Sequence, residues 1–151
     1  MQTPLPPAGE FVRHSGTMLL IERLAEASDT HAVCEVAITE NSTFYRQGCG
    51  VPAYVGLEYM AQTIAAYDGA QRHRSGEPPE IGFLLGTRRY EASRSHFAAG
   101  ETLHVRVDMT FNDNGMAAFD GVITVAGETR ARASINVYRP GGGVSLAEVT
   151  R

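Results

Sequence analysis

Long apolar runs, basic blocks and cysteine clusters are all missing from this chain of 151 residues. No run approaches the roughly 18 apolar residues of a membrane-spanning helix, so we expect no membrane span. The formal net charge is −4 and the positive residues form no block, which disfavours a nucleic-acid partner. The two cysteines, Cys34 and Cys49, do not form the pattern of a disulfide scaffold, and a reducing cytoplasm is the expected location.

Several motifs with well-defined chemistry are missing as well. The first residues lack the charged start and apolar run of a signal peptide. Two cysteines fifteen positions apart, with scattered histidines, do not have the spacing of a zinc site, so we expect no metal. The chain also has no GxSxG elbow, phosphate-binding loop or dinucleotide fingerprint. The sequence therefore predicts no bound cofactor.

One long segment with helical periodicity stands among segments that alternate between apolar and polar residues. The helical segment runs from about Ala53 to His73 and ends before Gly76, Pro78 and Pro79, which cannot continue a helix. Alternation predicts strands at 18–27, 31–39, 80–93, 101–115, 116–127 and 128–138.

This pattern of elements indicates an α+β fold. A lone, largely apolar helix needs a cover, and here only strands can supply it. We therefore predict an antiparallel sheet of about six strands that curls around one central helix. The chain is long enough for one domain with a real core, so we expect residues 1–151 to form a single domain, with 1–10 and 141–151 as loose tails.

The helical segment carries an isolated carboxylate, Glu58. No other charged residue follows it until Asp68, and the residues three, four and seven positions later are Ala61, Gln62 and Ala65. Either Glu58 is an exposed first-turn residue that complements the helix dipole, or it faces a functional pocket. Apolar surroundings and the helix N-terminus act on the protonation of this carboxyl in opposite directions, so the sequence leaves its protonation state open.

Three motifs stand in a recognisable order along the chain. They are RHSGTMLLIERL (13–24), GLEYMAQ (56–62) and GFLLGTRRYEASRSHFAAGETLHV (82–105). Together they resemble the β-hydroxyacyl-acyl-carrier-protein dehydratases of fatty-acid synthesis, in which the second motif carries the catalytic carboxylate. The resemblance covers about His14 to Val105 and implies the hot-dog fold, an antiparallel sheet around one long helix.

The loop before the helix departs from that family. The standard family has His-Phe-Pro-Gly there, and its histidine is the catalytic base, whereas this loop reads FYRQGCGVPAYVG and has no histidine. In this respect the chain is similar to a divergent subgroup, the predicted 3-hydroxyacyl-acyl-carrier-protein dehydratases of aryl-polyene-type pathways. Members of that subgroup keep an N-terminal His-Ser-Gly or similar segment, as at His14 to Gly16 here.

The resemblance implies dehydration of a 3-hydroxyacyl thioester, which needs a base, an acid and donors for the enolate-like oxygen. It implies Glu58 as the acid and leaves His14 as the best candidate for the base. Unpaired N–H groups at Gly56 and Leu57 are expected to bind the thioester oxygen. Gln62 is expected either to orient Glu58 and contact the substrate or only to pair with the backbone. The weaker candidates for the base are His31, His73, His96 and His104.

Arginines and sheet edges indicate possible partners. Guanidinium groups pair well with phosphate, so four arginines could meet an acidic acyl carrier protein or the phosphate of its phosphopantetheine arm, or could form a solvated face. These are Arg13, Arg88, Arg89 and Arg94. Because sheet edges seldom stay bare, we expect a homodimer or a heterodimer with another hot-dog subunit. Two alternatives to a dehydratase stay open: an acyl thioesterase, and a non-catalytic subunit that lends a tunnel wall to a paralogue.

Overall fold

A computed structural model describes residues 19–76 and 83–138. Within these residues there is one α-helix, α1 (Gly56–Arg74), and a 3₁₀ turn, Ala53–Val55, leads directly into it. The helix predicted from about Ala53 to His73 is confirmed, with its first three residues in 3₁₀ geometry. The predicted tails, 1–10 and 141–151, lie outside the described residues.

Six antiparallel strands form one sheet in the order β1-β2-β6-β7-β8-β4. The helix packs against this sheet, which confirms the predicted hot-dog fold. A second sheet of two short strands, β3 and β5, was not predicted, because strands of two residues show no periodicity. The strands are β1 (Arg23–Ala27), β2 (His31–Ala37), β3 (Val51–Pro52), β4 (Phe83–Ala92), β5 (His96–Phe97), β6 (Thr102–Asp113), β7 (Met116–Val125) and β8 (Glu128–Tyr138).

Tight turns join the last three strands. Asn114 and Gly115 connect β6 to β7 with φ angles of 53° and 81°, as the Asn-Gly pair predicts. Ala126 and Gly127 connect β7 to β8 with φ angles of 49° and 82°. Positive φ angles at both central residues match the right-handed twist of the strands, so β6, β7 and β8 form a continuous meander.

The two faces of the sheet differ in polarity. On β6, Leu103, Val105 and Val107 are fully buried and face α1. Between them, Arg106 points to the outer face, where its Nε donates a hydrogen bond of 2.8 Å to the Asp108 carboxylate. The alternation therefore gives the sheet an apolar inner face and a charged outer face.

Helix α1 buries one face and leaves another half-buried. Its buried aromatic residue Tyr67 meets Phe119 of β7 edge to face, with ring centres 5.5 Å apart. Met60 lies over Gly121 of β7, where a Cβ would come within 2.7 Å of the Met60 sulfur. The half-buried stripe of the helix consists of Leu57, Glu58, Ala61, Ala65 and Asp68.

Two predictions about the whole chain concern membranes and cysteines. Across residues 19–76 and 83–138, no helix has the length and hydrophobicity needed to cross a membrane. Cys34 is buried, Cys49 is exposed, and both are free thiols.

Candidate active site at the start of the helix

Glu58 lies in the first turn of α1 and is half-buried. Its Oε1 accepts a hydrogen bond of 3.2 Å from Nε2 of Gln62, one turn further along the helix. Within the described part of the chain, no other hydrogen bond reaches the Glu58 carboxyl group. The second oxygen is therefore available to a bound molecule.

Gln62 links Glu58 to the N-terminal part of the chain. The side chain of Gln62 is fully buried, and its Oε1 accepts a hydrogen bond of 2.8 Å from the backbone N–H of Leu20. Because the amide uses its oxygen and its nitrogen within the chain, it holds Glu58 and Leu20 in a fixed relation. This arrangement fits the orienting role expected for Gln62 better than a substrate contact.

The backbone N–H of Gly56 differs from the sequence-based expectation. It donates to the carbonyl groups of Ala53 and Tyr54, because the 3₁₀ turn continues directly into α1. The N–H of Gly56 is thus not an unpaired donor for a thioester oxygen. Leu57, which follows it, is half-buried beside Glu58, and its expected role as a donor stays a prediction.

A side chain that the sequence did not single out, Tyr90 of β4, packs against Gly56. A Cβ on Gly56 would overlap the Tyr90 hydroxyl oxygen and would lie 2.9 Å from Cδ1 of Ile123. The Tyr90 hydroxyl donates a hydrogen bond to the backbone oxygen of Ala53. Burial raises the pKa of Tyr90 to about 12, so this hydroxyl stays protonated at neutral pH. The glycine is therefore required for helix packing, whatever its role towards substrate.

The candidate docking arginines fall into different environments. Arg88 and Arg89 are exposed on β4 and form no ion pair within the described part of the chain. Together with Arg132 they line a groove on the outer face that also contains three carboxylates, those of Glu91, Asp108 and Asp120. Arg94, in contrast, pairs with Glu128 at 3.1 Å, and Arg13 lies outside the described residues.

His14, the expected base, also lies outside the described residues. His73 is fifteen positions after Glu58, or about 22 Å along the helix axis. His31 is held by Ser28 and Glu26 at the start of β2, and His104 pairs with Glu35 at 3.3 Å. Neither contacts Glu58, so the structure gives no reason to prefer any of these three as the base.

Among the described histidines, His96 is the one on a strand that pairs with the residues just before the helix. It pairs with Pro52 in the two-stranded sheet, and its Nδ1 lies 2.9 Å from the Ser95 hydroxyl. It has no hydrogen bond to Glu58, but it makes a natural comparison for His14 in an experiment. Among the described residues, no group of three or more His, Cys, Asp or Glu side chains could hold a metal ion.

Solved structures with low sequence identity share the fold. A hypothetical thioesterase from Streptococcus pneumoniae TIGR4 with coenzyme A has a TM-score of 0.63 at 11% identity, covering 78% of this chain and 84% of that chain. The PaaI protein of the Escherichia coli phenylacetic acid degradation operon has a TM-score of 0.61 at 14% identity, with coverages of 77% and 81%. At these identities the likeness concerns the fold alone. A search of curated proteins found no match.

Two further similarities point to one kind of dehydratase. The dehydratase heterocomplex ApeI:P from Xenorhabdus doucetiae aligns with a TM-score of 0.87 at 25% identity, covering 97% of this chain and 96% of that chain. A family model for ApeP dehydratase, ApeP-like, matches residues 6–150. This match confirms the resemblance found in the three sequence motifs. Because it spans nearly the whole chain, the protein belongs to the ApeP-like family of hot-dog dehydratases.

Proposed function

We propose that this dehydratase acts on a 3-hydroxyacyl thioester carried by the phosphopantetheine arm of an acyl carrier protein. A base removes a proton from C2, the C3–O bond breaks, and the carboxyl group of Glu58 protonates the departing hydroxyl, so that water and a trans-2-enoyl thioester are formed. The observation that carries this proposal is a half-buried carboxyl group with one oxygen bound by Gln62 and the other without a hydrogen bond from any described residue. No cofactor is needed for this reaction.

We propose His14 as the base. The family match includes residue 14, and Leu20, six residues further on, is tied to Gln62 and through it to Glu58. This link favours a short path from the N-terminal segment to the carboxyl group. Histidine is the side chain that most often performs this task near neutral pH.

The direct test is the rate of enoyl formation from a 3-hydroxyacyl carrier protein in three variants. Glu58→Gln keeps an oxygen that can accept from Gln62 but has no proton to deliver, and we expect its kcat to fall about 10²- to 10⁴-fold. We expect a similar fall for His14→Ala and an unchanged rate for the comparison variant His96→Ala. Full activity of Glu58→Gln would exclude Glu58 as the acid, and loss of activity only in His96→Ala would make His96 the base.

A partner subunit is the second part of the proposal. The ApeI:P structure from Xenorhabdus doucetiae is a heterocomplex, and we infer that this chain also pairs with a second hot-dog subunit. Among the described strands, β1 and β4 are the two edges of the six-stranded sheet, and such edges favour pairing with another chain. The half-buried stripe on α1 beside Glu58 is a further surface that a subunit could cover.

Purified protein, alone and mixed with the candidate subunit, distinguishes the roles that remain. Enoyl formation by this chain alone would support a complete active site in one chain or in a homodimer. If activity requires the second subunit and survives Glu58→Gln, this chain is a non-catalytic partner. Release of free carrier thiol and 3-hydroxy acid instead of the enoyl product would support a thioesterase.

We also propose that Arg88, Arg89 and Arg132 contact the carrier protein. They are exposed guanidinium groups in one groove that form no ion pair with any described residue, so they can bind carboxylates or phosphate. Replacing Arg88 and Arg89 by alanine should raise KM for the carrier-bound substrate and leave KM for a pantetheine thioester unchanged. Arg23→Ala, at the opposite edge of the sheet, is the matched control, and equal KM values in both variants would contradict this role.

The free cysteines agree with the expected cytoplasmic location, which we also propose here. Cys34 and Cys49 are both thiols, and free thiols persist most readily in a reducing compartment.

A further inference from the structure

The first residue of the 3₁₀ turn, Ala53, is held through both of its backbone groups. Its N–H donates a hydrogen bond of 2.8 Å to the carbonyl oxygen of Ser95, in the segment between β4 and β5. Its carbonyl oxygen accepts from the hydroxyl of Tyr90 and from the N–H of Gly56. We call the contacts of Tyr90 and Ser95 with this backbone the Ala53 clamp. The clamp fixes the point at which the chain enters α1.

A bulge in β4 makes the Tyr90 contact possible. The pairing of β4 with β8 shifts between Arg88 and Glu91, and Arg89 has a φ angle of 52°. A bulge of this kind reverses the alternation of side chains along a strand. As a result, Arg88 and Arg89 are both exposed, while Tyr90 turns inward to the start of the helix. The left-handed conformation of Arg89 is thus part of the bulge that turns Tyr90 towards the helix.

The fit between Tyr90 and Gly56 leaves little freedom for the helix start. The Tyr90 hydroxyl occupies the place where any side chain at residue 56 would begin, and Ile123 closes the same space from β7. A phenol is protonated through the neutral range, and burial raises the pKa of Tyr90 further, to about 12, so its hydroxyl remains a donor to Ala53. Glu58 follows Gly56 by two residues, which is less than one turn of helix. A shift at Gly56 is therefore passed directly to Glu58.

We propose that Tyr90 is a positioning residue of this dehydratase, which sets the place of the Glu58 carboxyl group by fixing the start of α1. This inference rests on the proposed role of Glu58 as the acid. Tyr90 acts here through the hydrogen bond from its hydroxyl group to the Ala53 backbone, and not through a contact with substrate.

Tyr90→Phe keeps the aromatic ring against Gly56 and removes only the hydroxyl group. Displacement of a reacting group by about 1 Å can lower the rate about 100-fold, so we expect kcat to fall about 10- to 100-fold. We expect KM to stay within about threefold and Tm to change by less than about 4 °C, because Ala53 keeps the hydrogen bond from Gly56. Equal kcat values in Tyr90→Phe and wild type would overturn the proposal.

Tyr138→Phe is the matched control. It removes a buried hydroxyl for which the described residues provide no hydrogen-bond partner, and it leaves the helix start untouched. We expect its kcat to equal that of wild type. A comparable loss of kcat in this control would show that any deleted tyrosine hydroxyl weakens the enzyme, which would overturn a specific role for Tyr90.

A double-mutant cycle tests the contact itself. Gly56→Ala places a Cβ onto the Tyr90 hydroxyl and should lower kcat by moving the helix start. In the Tyr90→Phe background the overlap with the hydroxyl is removed and the close contact with Cδ1 of Ile123, at 2.9 Å, remains. The effect of Gly56→Ala on kcat should therefore persist but be at least about fivefold smaller. If Gly56→Ala lowers kcat by the same factor in wild type and in Tyr90→Phe, the two residues are not coupled and the clamp is contradicted. Should Gly56→Ala fail to fold, Tyr90→Phe and the exchange measurement below still decide the question.

Hydrogen exchange of the backbone amides of residues 56–59 separates this inference from the proposed function, because it needs no substrate. Loss of the Tyr90 hydroxyl should make these amides exchange about tenfold faster, while the amides of β6 and β7 remain unchanged. Unchanged exchange at residues 56–59 would overturn the clamp even if Glu58 proves catalytic. Faster exchange together with a fully active Glu58→Gln would instead refute the catalytic role of Glu58.

Discussion

The two cysteines of this chain differ sharply at the scale of single residues. Cys34 is fully buried on β2, and burial raises the pKa of its thiol to about 12, although a hydrogen bond with Thr63 acts in the opposite direction. Cys49 is exposed in the loop before the helix. Because the thiolate is the reactive form of cysteine, Cys34 is protected both by its protonation and by its burial.

We expect iodoacetamide at pH 8 to modify one cysteine in the native protein and two in denaturant. Peptide mass spectrometry should place the native modification at Cys49, and Cys49→Ser should abolish it. Rapid native modification of Cys34 would mean that β2 opens far more readily than its burial implies.

Single residues also show how far the sequence predicts the site. Glu58 was identifiable because it is a lone carboxylate on a helix face of small, uncharged residues, which is unusual, and because it falls within a known motif. The pairing of Gln62 with Leu20 was not predictable, since it joins residues far apart in sequence. Tyr90 carries no signal of its own in RRYE, because its direction depends on a bulge that only the pairing of β4 with β8 creates.

At the scale of elements, the contact between α1 and β7 depends on a residue without a side chain. Gly121→Ala would bring a Cβ within 2.7 Å of the Met60 sulfur and 3.1 Å of its Cγ. Met60 is fully buried, so it can yield only by disturbing its neighbours. We expect a loss of about 1–3 kcal/mol in the free energy of unfolding, measured by urea denaturation.

Gly86→Ala is the matched control on β4. A Cβ there meets no atom within 4 Å, and its φ angle is not in the left-handed region, so we expect little change in stability. Equal effects of the two substitutions would indicate that glycine flexibility in strands, and not the packing of Met60, determines the result.

The long helix and the long strands were largely predictable, whereas some of the short segments that connect them were not. The long helix and the long strands follow from periodicity. The 3₁₀ turn at Ala53–Val55 could not be separated from the helix, because both place similar residues at similar spacing. This difference matters chemically, since the turn supplies the carbonyl groups that occupy the N–H of Gly56.

At the scale of the whole molecule, two buried phenols and a buried thiol make the free energy of unfolding fall as the pH becomes alkaline. Burial raises the pKa values of Cys34, Tyr59 and Tyr90 to about 12, from ordinary values of 9.0 for the thiol and 10.0 for the phenols. The unfolded chain therefore releases these protons at a lower pH than the folded chain does. Their contribution to stability is fully present below about pH 9 and is lost as the pH rises towards 12.

Urea denaturation at pH 8, 9.5 and 10.5 measures this loss. We expect the free energy of unfolding to fall across the series, and to fall less steeply in Tyr59→Phe, which removes one of the buried phenols. Tyr54→Phe is the control, because Tyr54 is 62% exposed and its removal should leave the pH dependence unchanged. Identical slopes in wild type and Tyr59→Phe would contradict the assignment.

The whole fold was predictable because a single helix among many strands leaves few arrangements. Once only strands were available to cover the helix, an antiparallel sheet packed on it was the remaining solution. The strand order was not predictable from residues alone, since β4 follows the helix in sequence yet pairs with β8 at the edge of the sheet.

That strand order has a consequence for synthesis of the chain on the ribosome. Of the described strands, β1, β2 and the two-residue β3 precede the helix, while β2 must wait for β6 and β4 must wait for β8. The cover of α1 by the sheet is therefore complete only after translation has passed Tyr138, the last residue of β8. We expect the nascent chain to depend on chaperones over this interval, and the sheet to close only near the end of synthesis.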